Sequence, residues 1–116
     1  KICPEKYRNT IHKDVEAAFN TIVRGGVFED LCLCHGTLGN MMILQEYLKT
    51  FKNHDLDLAI DKIVNDTAQN IVDGKYVSPQ QNSRFFLGLM LGSSGIGYAY
   101  LKFMFPDLPN ILLLEI

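Results

Sequence analysis

The sequence predicts an all-α fold, and three observations lead to that prediction. Apolar residues recur at helical spacing along several stretches of the chain. Glycine and proline residues separate these stretches, as expected where helices end. A Gly-x-x-Gly segment followed by an apolar helix occurs twice, beginning at Gly36 and, 56 positions later, at Gly92. A repeated unit of helix, loop, Gly-x-x-Gly and helix is typical of a helical repeat or toroid, and two units cannot close a ring. The predicted architecture is therefore part of a helical repeat or toroid.

The first two predicted helices differ in how their apolar residues are distributed. The first has one apolar face, begins at a cap supplied by Asn9 or Thr10, and ends at Gly25-Gly26. The second begins near Gly39 or Asn40, with Asn40 as its cap. Two faces of this second helix are apolar, so we expect it to be buried. The apolar residues are Ile11, Val15, Ala18, Phe19 and Ile22 in the first helix, and Met41, Met42, Ile43, Leu44, Tyr47, Leu48 and Phe51 in the second.

Two further helices are predicted in the second half of the chain. Asp55 or Asp57 caps the third helix, which ends at Asp73-Gly74. Polar residues and Pro79 predict a loop over 75–83, and the fourth helix runs from about Gly95 to about Phe105. The apolar tail 111–114 needs a surface on which to dock. The predicted buried stripe of the third helix is Leu56, Ile60, Ile63, Val64, Ile71 and Val72, and the aromatic core is Phe85, Phe86, Tyr98, Tyr100, Phe103 and Phe105.

Composition restricts the classes of function. The chain has 116 residues, a net charge of −2 and 47% hydrophobic residues, which indicates one globular domain. A primary nucleic-acid-binding protein would carry a basic stripe, so no nucleic-acid partner is expected. No apolar stretch is long enough for a membrane span. The chain begins without an initiator Met, which predicts a piece of something longer. Three cysteines make a poor disulfide framework, so a reducing, cytoplasmic location is predicted.

The candidate functional site is the segment Cys32-Leu33-Cys34-His35-Gly36. A thiolate and an imidazole are ligands that zinc prefers, and here they precede a glycine-rich helix start that exposes both side chains. Cys34 and His35 are the predicted metal ligands. Cys32 shares a side with Cys34 if the segment is extended, and packing is favoured over ligation for it. Cys3 is interpreted as structural, with a role as a missing ligand left open.

Several alternative interpretations remain open at this stage. Cys34 and His35 can instead be packed residues of a non-catalytic helical-repeat interaction module, or Cys32 and Cys34 can serve a redox or thiol-binding protein. The glycine-rich segments lack the lysine and the preceding strand of a phosphate-binding loop, so close helix packing explains them better. His12 and His54 are expected in solvent. The same holds for the acidic residues Asp55, Asp57, Asp61 and Asp66.

Three motifs resemble those of one enzyme family. Leu33-Cys34-His35-Gly36-Thr37-Leu38-Gly39-Asn40 resembles the Leu-Cys-His-Gly-x-x-Gly-Asn motif of lanthionine cyclases. Gly88-Leu89-Met90-Leu91-Gly92-Ser93-Ser94-Gly95-Ile96-Gly97-Tyr98 resembles the segment that closes the cyclase domain. Pro109-Asn110-Ile111-Leu112-Leu113-Leu114-Glu115 resembles the end of the bacterial class II lanthipeptide synthetases, which are bifunctional dehydratase-cyclases.

The resemblance implies a zinc-dependent cyclase in lantibiotic biosynthesis. It implies an α/α toroid of about seven helical hairpins, of which residues 1–116 would be the last ones, the C-terminal part of the cyclase domain. Peptide cysteine thiolates would add to dehydroalanine or dehydrobutyrine and form thioether rings. Cys34 and His35 match the second Cys and the His of the family's zinc ligands. The first Cys lies in a Trp-Cys-x-Gly segment, and this chain has no Trp.

The resemblance also implies what lies elsewhere. The acid/base His and the dehydratase are expected upstream, so no catalytic residue is assigned within these 116 residues and the isolated segment is expected to be inactive. The implied cofactor is Zn²⁺. The implied partners are a dehydrated precursor peptide, the rest of the synthetase chain and a membrane-associated transporter complex.

Overall fold

Helices make up all the regular structure of the described residues. The computed structural model describes residues 4–75 and 86–114. Four α-helices and one 3₁₀ helix follow one another, which confirms the predicted all-α class. They are α1 (Glu5–Gly25), α2 (Thr37–Thr50), α3 (His54–Val72), α4 (Ser93–Met104) and the 3₁₀ helix Ile111–Leu113.

Helix α1 begins earlier than the sequence predicted. It starts at Glu5, directly after Pro4, whose φ of −58° suits the residue before a helix. Asn9 and Thr10 therefore lie inside the helix, and the prediction that one of them caps it was wrong. The apolar face extends one turn further back to Tyr7, which is why the helix does too. The end at Gly25-Gly26 is confirmed, yet no residue of α1 is buried.

Helix α2 forms the centre of the described fold because it is buried on two sides, as predicted. One side contributes Leu38 and Met42 to the first core cluster, which lies against α4. The other contributes Met41 and Leu44 to the second core cluster, which lies against α3. The first cluster contains Leu31, Leu33, Leu38, Met42 and Ala99, and the second contains Met41, Leu44, Leu48, Ile60 and Val64. Together they fix the position of the loop that precedes α2.

Asn40 is not the cap of α2. The helix begins at Thr37, three residues earlier than Asn40, after Gly36 in extended conformation. The Asn40 side-chain amide instead donates a hydrogen bond of 2.9 Å to the carbonyl of Gly26, at the end of α1. Asn40 thus ties the end of one helix to the first turn of the next.

The third and fourth helices follow the prediction with shifted starts. Asn53, rather than Asp55 or Asp57, caps α3, since its side chain accepts a 3.1 Å hydrogen bond from the Leu56 amide. The predicted end at Asp73-Gly74 is confirmed, and Gly74 has a φ of +67°. Helix α4 begins at Ser93, two residues before the predicted Gly95. The loop predicted over 75–83 lies outside the described residues, apart from Lys75.

The predicted core was partly wrong at its edges. Ile71 and Val72, at the C-terminal end of α3, are exposed, and Phe86 and Phe105 are also exposed. Tyr100 and Phe103 pack against both core clusters, as predicted. Phe85 lies outside the described residues. The histidines and aspartates that were predicted to face solvent are exposed: His12, His54, Asp55, Asp57, Asp61 and Asp66.

The C-terminal tail docks on the fold through a buried polar group. Lys102 is 1% exposed, and its Nζ donates a 2.6 Å hydrogen bond to the carbonyl of Pro106. The same Nζ lies 3.8 Å from Oε1 of Glu46 on α2. Buried Asn110 caps the 3₁₀ helix through a 3.0 Å bond from the Leu112 amide. Ile111 and Leu112 then pack against the first core cluster, which confirms that the tail needs a docking surface.

Acidic pH should weaken the interactions of the Glu46 carboxylate. Burial raises the pKa of Glu46, but hydrogen bonds from Lys49 and Asn110 and the charges of Lys49 and Lys102 outweigh it and hold that pKa below its ordinary value. A carboxylate with a depressed folded pKa stabilises the fold above its unfolded pKa of about 4.3. That contribution is lost as the pH falls through the folded pKa.

The expected result is that Glu46→Gln lowers the thermal unfolding temperature at neutral pH and that the difference from wild type shrinks below about pH 4. Thermal unfolding of the natural chain between neutral and acidic pH measures this difference. A difference that stays constant down to acidic pH would contradict the assignment.

No helix within the described residues is long and apolar enough to cross a membrane.

Candidate metal centre

The predicted ligands lie on a tight turn that follows α1 and runs into the start of α2, residues 30–39, called the first turn below. The side chain of Asp30 accepts a 2.8 Å hydrogen bond from the Cys32 amide, and its carbonyl accepts one of 2.9 Å from Thr37. The Gly36 amide donates to the carbonyl of Cys32 at 3.1 Å. A Cβ at Gly36 would lie 2.6 Å from the Cys32 oxygen and 2.7 Å from the Asp30 oxygen, so this turn requires glycine there.

A second turn with the same hydrogen bonds occurs at residues 86–95, before α4. Gly92 donates to the Gly88 carbonyl at 2.8 Å, and Ser93 donates to the Phe86 carbonyl at 3.0 Å. Each donor and acceptor lies 56 positions after its counterpart in the first turn, which confirms the internal repeat. Gly39 and Gly95 approach the carbonyls of Leu33 and Leu89, respectively, at the same place in each turn.

The two turns contact each other directly. The amides of Leu33 and Cys34 both donate to the carbonyl of Met90, at 3.0 and 3.2 Å. Side-chain packing continues from these hydrogen bonds, since Leu33 belongs to the first core cluster with Ala99 of α4. The backbone at Cys34 is therefore fixed by bonds that do not involve its side chain.

Cys32, Cys34 and His35 form a compact group, called the Cys-His group below. The Cys32 sulfur lies 3.7 Å from the Cys34 sulfur, and 3.4 and 3.8 Å from Nδ1 and Nε2 of His35. All three ligand atoms lie within 4.8 Å of one another. Cys32 is 1% exposed, while Cys34 and His35 are exposed. Among residues 4–75 and 86–114, the Cys-His group is the one cluster of at least three potential metal ligands.

These distances fit a zinc ion. Tetrahedral bonds of about 2.3 Å to sulfur and about 2.05 Å to nitrogen require roughly 3.8 Å between two sulfurs and roughly 3.6 Å between sulfur and nitrogen. The separations from the Cys32 sulfur, 3.7 Å to the Cys34 sulfur and 3.4 and 3.8 Å to the two His35 nitrogens, lie within about 0.2 Å of these values. The donor set of soft thiolates and an imidazole also suits zinc rather than magnesium or calcium.

Asp30 is a neighbour of the site that the sequence analysis did not identify. Its Oδ2 lies 3.7 Å from Nδ1 of His35, and it is 20% exposed against 62% for the histidine. A carboxylate on one ring nitrogen orients the imidazole and leaves the other nitrogen to bind a metal. The signal that could have revealed it is an aspartate two residues before Cys32, the spacing of a side-chain-closed turn.

The surroundings of Cys32 raise the pKa of its thiol above the ordinary value for a cysteine. Burial raises the pKa of the Cys32 thiol, and the neighbouring Cys34 and the negative charge of Asp30 act in the same direction, against a lowering hydrogen bond from His35. A thiol with a raised pKa is a poor free nucleophile. A bound cation would deprotonate it, as metal ions do for coordinating thiols.

We expect Asp30→Asn to weaken zinc binding by about 10–100-fold, the usual effect of losing a carboxylate that orients a ligating histidine. Asparagine keeps the oxygen that accepts from the Cys32 amide, so the turn should remain intact. Competition with a chromophoric chelator measures the affinity, and thermal unfolding of the metal-free form checks the turn. Unchanged zinc affinity in a folded Asp30→Asn chain would show that Asp30 does not contribute to zinc binding.

The structure thus brings together the predicted ligands and one more thiol. Cys34 and His35 are neighbours on an exposed turn before α2, as predicted. Cys32 is buried, as the packing interpretation predicted, but its sulfur faces the other two ligand atoms, as the ligand interpretation requires. Cys3 lies outside the described residues. The absence of a catalytic residue from this chain stays a prediction.

Comparison with known proteins identifies similar chains. The sequence model described as "Lanthionine synthetase C-like protein" matches residues 3–114. The chain is also 28% identical over 96 residues to the "Lacticin 481/lactococcin biosynthesis protein" of Lactococcus lactis subsp. lactis. That alignment covers 79% of this chain and 10% of the relative, so the chain spans about a tenth of the relative's length. No solved structure matches.

Proposed function

The chain belongs to the lanthionine synthetase C-like family, and on that premise we propose that it is the C-terminal part of the zinc-dependent cyclase domain of a lanthipeptide synthetase. Its residues 1–116 would contribute the last helical hairpins of the α/α toroid typical of this family. The proposed reaction joins the sulfur of a peptide cysteine to the β-carbon of dehydroalanine or dehydrobutyrine. The α-carbon gains a proton, and a thioether ring results.

One observation carries this proposal: an exposed Cys34–His35 pair beside a buried sulfur, at separations that suit zinc. Zinc lowers the pKa of a thiol that binds it, and so supplies a thiolate at neutral pH. Because Cys34 and His35 are exposed, a peptide thiol can approach from their side. Oδ2 of Asp30 lies 3.7 Å from Nδ1 of the imidazole, and the hydrogen bonds to the Met90 carbonyl fix the backbone.

The proposed partners follow from the proposed reaction. The dehydrated precursor peptide is the substrate, and the remainder of the synthetase chain supplies the acid/base His and the dehydratase. In this proposal Cys34 and His35 are the two zinc ligands that this chain supplies, as the family resemblance implies. A cytoplasmic location and a transporter partner stay predictions.

Removal and return of zinc test the proposal in the natural chain that contains this segment. We expect about one zinc per chain, loss of ring formation after chelation, and recovery when zinc is restored. Because ring closure leaves the peptide mass unchanged, thiol alkylation followed by mass spectrometry counts the remaining cysteines. A folded natural chain that binds no zinc would contradict the proposal.

The alternative function is a helical-repeat interaction module with structural roles for Cys34 and His35. The observation in its favour is the apolar face of α1, where Tyr7, Ile11 and Val15 are 49%, 47% and 39% exposed. A partner helix on that face would bury them. This alternative predicts no zinc, and it predicts that Cys34→Ala changes nothing except stability.

A further inference from the structure

We propose that Cys32 positions the two ligands that this chain supplies, Cys34 and His35, without binding the metal itself. Its sulfur would accept a hydrogen bond from the imidazole of His35 and donate one to the sulfur of Cys34. This inference rests on the zinc-dependent function proposed above and adds to it one more residue of the first turn. Cys32 is a positioning residue, because it would act on the metal only through its two neighbours.

The contact between Cys32 and His35 favours one nitrogen of the imidazole for the metal. The Cys32 sulfur lies 3.4 Å from Nδ1 and 3.8 Å from Nε2, so Nδ1 is the nearer nitrogen. Oδ2 of Asp30 lies 3.7 Å from the same Nδ1. A histidine that binds a metal through one nitrogen carries its proton on the other, and an acceptor there fixes the orientation of the ring. Two acceptors beside Nδ1 therefore leave Nε2 to bind the metal.

The contact between Cys32 and Cys34 joins two sulfur atoms at hydrogen-bond distance. The separation is 3.7 Å, and either sulfur can be the donor in the metal-free chain. A metal-bound thiolate has no proton to donate, so the S–H group of Cys32 would then be the donor. A hydrogen bond to a charged acceptor is stronger than one between neutral groups. Cys32 is 1% exposed, so water does not compete with this bond.

The backbone of the first turn holds Cys32 independently of its side chain. The Cys32 amide donates a 2.8 Å hydrogen bond to the Asp30 side chain, and the Cys32 carbonyl accepts one of 3.1 Å from the Gly36 amide. A residue that orients a metal ligand is effective only when it is itself held in place. The two bonds on either side of Cys32 meet this requirement.

The second turn shows that the turn itself forms without a side chain at this position. Gly88 lies 56 positions after Cys32. The Gly88 carbonyl accepts a 2.8 Å hydrogen bond from Gly92, the counterpart of the bond that the Cys32 carbonyl accepts. Met90 and Leu91 stand where the first turn has its metal ligands. The thiol is thus present in the copy of the turn that has the ligands, and absent from the copy that lacks them.

The test is metal binding by variants of the natural chain, with Co²⁺ as a spectroscopic probe that replaces zinc. Cys32→Ala removes both proposed hydrogen bonds. We expect the thiolate-to-cobalt absorption band to move to longer wavelength, because a thiolate that loses a hydrogen bond gives up its electrons more readily. The intensity of the band should stay the same, since the number of bound thiolates does not change. Zinc affinity, measured with a chromophoric chelator, should fall about 10–100-fold.

Two further variants separate positioning from packing. A serine hydroxyl can both donate and accept, so Cys32→Ser should return the band and the zinc affinity toward wild type. Met42→Ala is the control for stability, because Met42 is a buried member of the first core cluster. We expect it to lower the unfolding temperature without moving the band. Thermal unfolding with chelator checks that each variant folds, and Cys32→Gly, the residue of the second turn, replaces a Cys32→Ala chain that does not.

Three results would overturn the inference while leaving the proposed function in place. The first is a folded Cys32→Ala chain with the wild-type band and zinc affinity. The second is a band that loses the intensity of one thiolate, because Cys32 would then be a ligand. The third is equal behaviour of Cys32→Ala and Cys32→Ser, which would reduce the role of Cys32 to packing. If wild type binds neither Co²⁺ nor zinc, the proposed function fails as well.

Discussion

Cys34→Ala is expected to abolish both zinc retention and thioether ring formation while leaving the fold intact. The side chain of Cys34 is exposed. Its backbone is fixed by the hydrogen bond that its amide donates to the Met90 carbonyl, and alanine keeps this bond. Substitutions at such exposed positions usually change stability by less than about 0.5 kcal/mol. The proposed zinc site, in contrast, loses its exposed thiolate. Elemental analysis of the purified chain and alkylation of the remaining peptide thiols measure the two losses.

Two histidine variants accompany this prediction: His35→Ala is a second variant of the site, and His12→Ala is the matched control. His35→Ala should reproduce the loss of zinc and of ring formation, because it removes the imidazole of the same group. His12→Ala should not, since His12 is an exposed histidine of α1 whose Nε2 lies 3.3 Å from Oε1 of Glu16. Full zinc content together with ring formation in a folded Cys34→Ala chain would exclude the proposed metal site.

Gly39→Ala is expected to destabilise the domain by about 3 kcal/mol, the upper range for overpacked sites. A Cβ at this position would collide with the carbonyl of Leu33, which is a backbone atom and cannot rotate away. The first turn would have to open, which would break the hydrogen bonds from Leu33 and Cys34 to Met90. Lower thermal stability and loss of zinc should therefore appear together. Thermal unfolding and metal content of the same preparation measure both.

Gly97→Ala is the control for Gly39→Ala. Gly97 lies inside α4, and a Cβ there would have no atom within 4 Å. Alanine favours a helix interior over glycine by roughly 0.5–1 kcal/mol, so the control should be neutral or stabilising. Gly95→Ala should behave like Gly39→Ala, because its Cβ would collide with the carbonyl of Leu89 in the second turn. Equal stability of Gly39→Ala and Gly97→Ala would contradict the close approach described here.

Much of the helical structure could be predicted from local patterns, and the errors have local causes too. The ends at Gly25-Gly26 and Asp73-Gly74 were correct because glycine stops helices through its own backbone preferences. Asn40 was assigned as a cap because asparagine often is one, yet its amide reaches back to Gly26 of the preceding helix. That contact joins positions 14 residues apart, and a local propensity carries no information about it.

In the candidate site, too, some residues could be predicted from local sequence and others could not. Cys34 and His35 could be identified from the type and order of their side chains beside a glycine turn. Asp30 could not, because its role depends on a 3.7 Å approach to His35 that the folded turn creates. The position of Cys32 was ambiguous in the sequence, since burial and ligation both suit a cysteine. The structure buries Cys32 and places its sulfur 3.7 Å from the Cys34 sulfur and 3.4 Å from Nδ1 of His35, a proximity that only the folded turn creates.

The sequence by itself determined the helical class, the repeated Gly-x-x-Gly turn and the ligand types of the first turn. These follow from the spacing of apolar residues, from glycine conformation and from side-chain chemistry, all of which act over a few residues. The tertiary structure was needed to show that α1 and the end of α3 are exposed and how the two turns meet. The carbonyl of Met90 accepts from Leu33 and Cys34 across more than 50 positions. Such a contact depends on packing between α2 and α4, which no local pattern encodes.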